Sequence, residues 1–118
     1  MNNLLKQQKI EFLNDVFITA IEGGINYWCN CKDYKNTDLG DSWSEAIVVD
    51  LLDGREYTIN PNLILVAISK IINEKADVSS RIIHEIKVAY ESLDAGEIDA
   101  ELADAIAQIV CFGRVKYS

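Results

Sequence analysis

Apolar positions recur at three- and four-residue spacing from Leu4 to Glu22, where Ile10, Leu13, Phe17, Ala20 and Ile21 form a stripe widened by Phe12 and Val16. This spacing predicts an amphipathic helix with the stripe against a core. Gly23 is expected to supply the left-handed position that ends the helix, and Gly24 to let the chain reverse closely against it. From Ile25 to Tyr34 the pattern changes to alternation. Ile25, Tyr27, Cys29 and Cys31 fall on one face of a strand and Asn26, Trp28, Asn30 and Lys32 on the other, with the cysteine face expected to be buried. A polar loop, Lys35 to Ser42, leads to a second strand from Trp43 to Leu52. Its run Ala46-Ile47-Val48-Val49 is apolar on both faces, as in a central strand. Asp53-Gly54 then signals a two-residue hairpin that pairs this strand antiparallel with Arg55 to Ile59.

The second half of the chain reads as three helices. Asn60-Pro61 combines a capping side chain with the residue best tolerated at the first helical position, and opens a helix that is apolar around most of its circumference. Ile82, Ile83, Ile86, Tyr90 and Leu93 mark a helix from about Ser79 to Leu93, broken at Ala95-Gly96. Asp99 caps a last helix carrying Leu102, Ala105, Ile106, Ile109 and Val110, which stops at Gly113. Arg114 to Tyr117 alternates again and predicts a short final strand. Helices and strands are partly segregated, so the expected fold is a single α+β domain over 1–118, a small mostly antiparallel sheet of about four strands packed against helices. A sheet of that size cannot cover three apolar helices, which predicts a homodimer that hides the surplus.

Charge changes the picture of partners. The chain has 118 residues, with 19 acidic against 11 basic and a net charge of −8. An acidic surface is repelled by duplex DNA and by anionic membranes, whereas it suits a basic partner. Asp38, Asp41, Glu45, Asp50, Asp53, Glu97, Asp99, Glu101 and Asp104 are the candidate contact acids. The first residues lack the apolar segment of a signal peptide, and no run is long enough to span a membrane, so a cytosolic protein with reduced thiols is expected.

Candidate chemistry is sparse. Cys29, Cys31, Cys111 and His84 do not have the spacing of a structural zinc site, and a Cys29–Cys31 disulfide would distort a strand. No metal, cofactor or catalytic residue is expected. His84 is the lone histidine, with no nucleophile or orienting partner to place beside it, and no phosphate loop, nucleophile elbow or dinucleotide fingerprint is present. The stretch with the most binding capacity is Thr19 to Trp28. Thr19, Glu22, Gly23, Gly24, Asn26, Tyr27 and Trp28 combine close backbone approach, directional polar groups and aromatic surfaces, and the C-terminal segment could add Arg114 and Tyr117. The alternative stays open that the glycines only stop a helix and Trp28 only covers it.

Thr-Ala-Ile-Glu-Gly-Gly-Ile-Asn-Tyr-Trp near the amino end, together with Ala-Asp-Ala-Ile-Ala-Gln-Ile-Val-Cys-Phe-Gly-Arg-Val-Lys-Tyr at the other, resembles a family of small, functionally unassigned proteins encoded by bacteriophages and prophages. The resemblance implies a setting, a phage accessory protein in the bacterial cytoplasm. In that setting the expectation is a non-catalytic anti-defence protein, of anti-CRISPR or anti-restriction type, that binds a host defence protein at its basic nucleic-acid surface. A second expectation, from another class, is a sponge for a nucleotide signal at the Glu22–Trp28 turn, with a base stacked on Tyr27 or Trp28 and a phosphate on Arg114.

Overall fold

Three helices begin at side chains that satisfy otherwise free amides. In the computed structural model, which describes residues 3–35 and 44–118, Asn60 accepts from the Leu63 amide at 2.9 Å, Ser79 from Ile82 at 3.3 Å and Asp99 from Leu102 at 2.9 Å. These caps open α2 (Pro61–Ile72), α3 (Ser80–Ser92) and α4 (Ala100–Phe112). Leu93, in the left-handed region, ends α3, and Gly113 at φ 74° ends α4. The expected loop after Lys35, and with it Asp38, Asp41 and Trp43, lies outside the described residues.

The first helix, α1 (Asn3–Thr19), does not end on a left-handed glycine. It widens into a π-helical turn over Ala20–Gly24, closed by the Ile25 amide on the Ala20 carbonyl at 3.2 Å. Among the described glycines only Gly54 and Gly113 have positive φ, so the conformational role expected of Gly23 is not the one it plays. The residues after the turn also depart from expectation. Ile25 to Trp28 form a second turn, and the strand starts only at Cys29 because Trp28 and Cys29 both return their amides to the Ile25 carbonyl.

β1 (Cys29–Lys35), β2 (Glu45–Asp50) and β3 (Glu56–Ile59) form an antiparallel sheet in the order β1-β2-β3. β2 is central, as its composition predicts, and buries Ala46, Val48 and Asp50 on one face while Ile47 and Val49 are half-covered on the other. β1 is an edge strand with a bulge between Cys31 and Asp33, and only Cys29 reaches the core. Of the expected buried face, Ile25, in the turn before the strand, and Cys29 are buried, whereas Tyr27 and Cys31 are exposed. The Asp53-Gly54 signal does mark the hairpin, but the loop takes four residues, 51–54. The Asp50 amide meets the Arg55 carbonyl at 2.9 Å, and the Asp50 carboxylate holds the Leu52 amide at 2.8 Å, which lengthens the turn beyond two residues.

The expected fourth strand is not part of the sheet. Arg114 makes a single parallel bridge to Asp77, and the rest of the tail follows α4 back toward the hairpin. The fold is thus α+β, with three strands among the described residues. Its core runs along α4, which buries seven consecutive or near-consecutive residues from Leu102 to Ile109 against Phe12 and Phe17 of α1, Val48 and Ile59 of the sheet, and Ile64, Ile68 and Ile71 of α2. Burying each large side chain contributes about 1.5 to 3 kcal/mol. No helix among the described residues is long and apolar enough to cross a membrane.

Candidate functional site

The π turn rests directly on the first turn of α4. A Cβ at Gly24 would lie 2.9 Å from the Ala100 carbonyl oxygen and 3.3 Å from the Asp104 nitrogen, so only glycine allows this approach. Gly23 has open space around it. The contact at Gly24 brings the next aromatic pair over Asp104. The Trp28 indole donates to Asp104 Oδ1 at 2.8 Å, and the Tyr27 hydroxyl donates to Asp104 Oδ2 at 2.5 Å. Burial, with the Asp104 carboxylate beside it, pushes the Tyr27 phenol well above its ordinary value, so it stays a donor.

Gln108, one turn further along α4 and fully buried, carries the network to the tail. Its Nε2 donates to Asp104 Oδ1 at 2.9 Å and to the Tyr117 carbonyl at 3.0 Å, while its Oε1 accepts from the Lys116 and Tyr117 amides at 2.7 and 2.8 Å. One side-chain amide thereby replaces the strand pairing that the alternation of 114–117 suggests. The tail brings Tyr117 onto Trp28, with ring centroids 5.6 Å apart and planes 16° from parallel, and Phe112 closes the cluster from 5.2 Å.

The network ends at Asp50. Its buried carboxylate accepts the Tyr117 hydroxyl at 2.9 Å from each oxygen and the Leu52 amide at 2.8 Å, with the Lys116 ammonium 3.6 Å away. Burial alone would raise the Asp50 carboxyl. The Leu52 amide, the Tyr117 hydroxyl and the Lys116 charge outweigh it and hold the group below its usual value of 3.8. No buried side-chain nitrogen or oxygen among the described residues lacks a partner. Because the folded-state value lies below the unfolded one, the Asp50 contribution is present above 3.8 and lost as pH falls through the lower folded value. Urea midpoints followed from about pH 5 to about pH 2 should therefore fall most steeply below 3.8, and Asp50→Asn should flatten that slope. An unchanged slope in the variant would remove Asp50 as the titrating anchor.

What the network presents outward is apolar. Leu51 and Leu52 at the hairpin tip are 54% and 77% exposed, and Tyr27 is 52% exposed. Together with Trp28, Tyr117 and Ser118 they line a shallow depression of 290 Å³. Two adjacent exposed leucines at a turn are costly to leave in water, and here the Asp50 carboxylate holds the Leu52 amide and the Trp28 carbonyl the Leu51 amide, at 2.8 and 2.9 Å.

The structure brings together only part of the expected site. Gly24, Tyr27 and Trp28 converge on α4. Thr19 donates back to the Asp15 carbonyl at 3.0 Å, Asn26 to the Glu22 carbonyl at 3.4 Å, and Glu22 and Gly23 are exposed, so these four serve the turn locally. Arg114 is exposed and tied through its backbone to Asp77. Trp28 is 3% exposed, with Tyr117 stacked on it, so a base could stack there only by displacing the tail. Gln108, Leu51 and Leu52 are not among the expected binding residues, and Asp50, expected as a surface contact acid, is buried. Gln108 is detectable in retrospect as the lone amide on the buried face of an apolar helix, since a buried amide requires partners.

Of the expected contact acids, Asp50 and Asp104 turn inward and Asp99 caps α4. Glu101 pairs with Arg81 at 2.7 Å. Glu45, Asp53 and Glu97 are exposed. No cluster of His, Cys, Asp and Glu among the described residues has the arrangement of a metal site. Burial pushes the Cys29 and Cys111 thiols up to about 12; burial raises the Cys31 thiol too, but its side chain is exposed to reagent. A thiol reagent at mildly alkaline pH should accordingly find one fast-reacting group in the folded chain, abolished by Cys31→Ser, and all 3 cysteines after unfolding. Two fast groups in the native protein would show that the packing around Cys111 is looser than described.

Comparison of the chain with protein-family models, with curated proteins and with solved structures finds no match in any of the three.

Proposed function

We propose that this chain is a phage-type anti-defence accessory protein of the bacterial cytoplasm that acts by binding a host defence protein, of the CRISPR or restriction type, without catalysis of its own. The observation that carries the reading is where the charge lies. The net charge is −8, and Asp50 alone of the described acidic residues is buried, so the excess is surface charge. Proteins that hold nucleic acid present basic surfaces, and an acidic protein competes for them by charge complementarity. The resemblance to phage and prophage proteins supports the setting.

The hairpin tip supplies what charge cannot. Leu51, Leu52 and Tyr27 form an apolar centre with Asp53 beside it, the arrangement in which a desolvated anchor sits inside a polar rim. Capture of host lysate proteins on the immobilised chain should recover a nucleic-acid-binding defence component at low salt. Recovery should decrease as salt rises, because exposed charge pairs are screened beyond about 8 Å at physiological ionic strength. Absence of any defence component at low salt as well as at high salt would overturn the reading.

A further inference from the structure

Two depressions flank a shared wall on the helical side of the molecule, and their charges are opposite. One, of 440 Å³ between α1 and the end of α3, is lined by Glu11, Asp15 and Glu91 without a basic residue. The other, of 690 Å³ between α1, α2 and α3, is lined by Lys9, Lys70 and Lys75 without an acidic one. The wall between them is made by the Phe12 and Tyr90 rings, in edge contact at 5.8 Å, with the Lys9 ammonium 5.5 Å over Tyr90. Exposed apolar residues line both sides, Leu5 at 46% beside the acids and Val66 at 50% beside the lysines.

None of these six charged side chains is ion-paired among the described residues. Burial and the neighbouring Glu11 charge raise the Asp15 carboxyl, and no ion pair among the described residues offsets the repulsion between these two acids. Lys70 lies in the last turn of α2 and Lys75 just beyond it, where a positive charge complements the helix dipole, yet the two share one open groove.

We propose that a second copy of this chain covers this surface, the acidic depression of each protomer receiving the lysines of the other across a twofold axis. A face with adjacent patches of opposite sign is self-complementary under that symmetry, since each patch meets its opposite when one copy is rotated onto the other. Unpaired charges of both signs gain partners at once, and Leu5 and Val66 leave water in the same step. This surface shares no residue with the hairpin-tip face, so dimerisation and partner binding are separable.

Charge reversal tests it. The unmodified chain should scatter light as a particle of twice 13.2 kDa at micromolar concentration. Lys70→Glu/Lys75→Glu and Glu11→Lys/Glu91→Lys should each scatter as monomers, because each places like charges across the axis, and mixing the two should restore the doubled mass. Circular dichroism establishes that each variant is folded; if one is not, Lys70→Ala/Lys75→Ala and Glu11→Gln/Glu91→Gln replace them and should each lower the dimer fraction. A mass of 13.2 kDa for the unmodified chain overturns the proposal. So does a dimer that survives either substitution pair, or a mixture of the charge-reversed pairs that stays monomeric.

Discussion

Alanine at Gly24 should destabilise the fold by about 2 kcal/mol, whereas alanine at Gly23, its neighbour in sequence, should be neutral or slightly stabilising. The two positions look equivalent in a Gly-Gly pair. At Gly24 the new methyl would sit 2.9 Å from the Ala100 carbonyl, and that atom is helix backbone, so α4 or the π turn must shift as a unit. The displacement propagates to Asp104, on which Trp28 and Tyr27 depend. At Gly23 nothing lies within 4 Å and φ is not positive, so the only effect is the lost freedom of the unfolded chain, worth roughly 0.4 to 1 kcal/mol in favour of alanine. Denaturant midpoints of the two variants, measured side by side, should move in opposite directions or leave Gly23→Ala unmoved. Equal losses at both positions would mean that the turn does not rest on α4 as described.

A loss of about 3 kcal/mol is expected for Gln108→Ala, since four hydrogen bonds of 3.0 Å or shorter disappear, with a fifth to the Tyr27 hydroxyl at 3.4 Å, and each contributes roughly 0.5 to 1.5 kcal/mol net. In a protein with total stability on the order of 5 to 15 kcal/mol this is a large fraction. The effect should have a local signature that distinguishes it from a simple cavity. The Lys116 and Tyr117 amides lose their acceptor, the tail separates from α4, and Tyr117 leaves the Trp28 face. Hydrogen exchange at those two amides should become fast, and tryptophan emission should shift to the red as the indole, now 3% exposed, meets water. A variant that loses stability while keeping both amides protected would show that another contact holds the tail.

The parts of this fold that were legible in the sequence are those governed by local chemistry. Asn60, Ser79 and Asp99 cap helices because a short polar side chain reaches an amide two or three residues on, and that geometry depends on nothing distant. Gly113 ends α4 for the same reason, and the run Ala46 to Val49 identifies a central strand because both of its faces are covered. Three of the misreadings involve partners far away in sequence. Trp28 is buried although alternation assigned it to the face opposite Cys29, because its indole finds Asp104, 76 residues on. Arg114 to Tyr117 alternates like a strand, yet the Lys116 and Tyr117 amides both go to one glutamine side chain. Asp50 follows Ala46 and Val48 at a spacing of two and so falls on the buried face of β2. Charge made it look like a surface residue, whereas its position in the alternation placed it inside, where Tyr117 and Lys116 accommodate it.

The same distinction applies to the candidate site. Tyr27, Trp28 and Gly24 stood out for their residue types, but which of their neighbours cooperate depends on α4 and the tail. The outcome is a rigid support for the hairpin tip, with Leu51 and Leu52 outermost.

Whether this tip is the apolar centre of the surface proposed to bind a host defence protein is measured most directly by phage plating. The bacteria carry an active CRISPR or restriction system and express either the unmodified chain or Leu51→Asp/Leu52→Asp. Both leucines are exposed, so the double variant should fold with an unchanged denaturant midpoint. The unmodified chain should raise the plating efficiency of a susceptible phage against at least one such system, and the double variant should not. No rise with the unmodified chain against any of them, or equal protection by a folded double variant, would contradict that role for the tip.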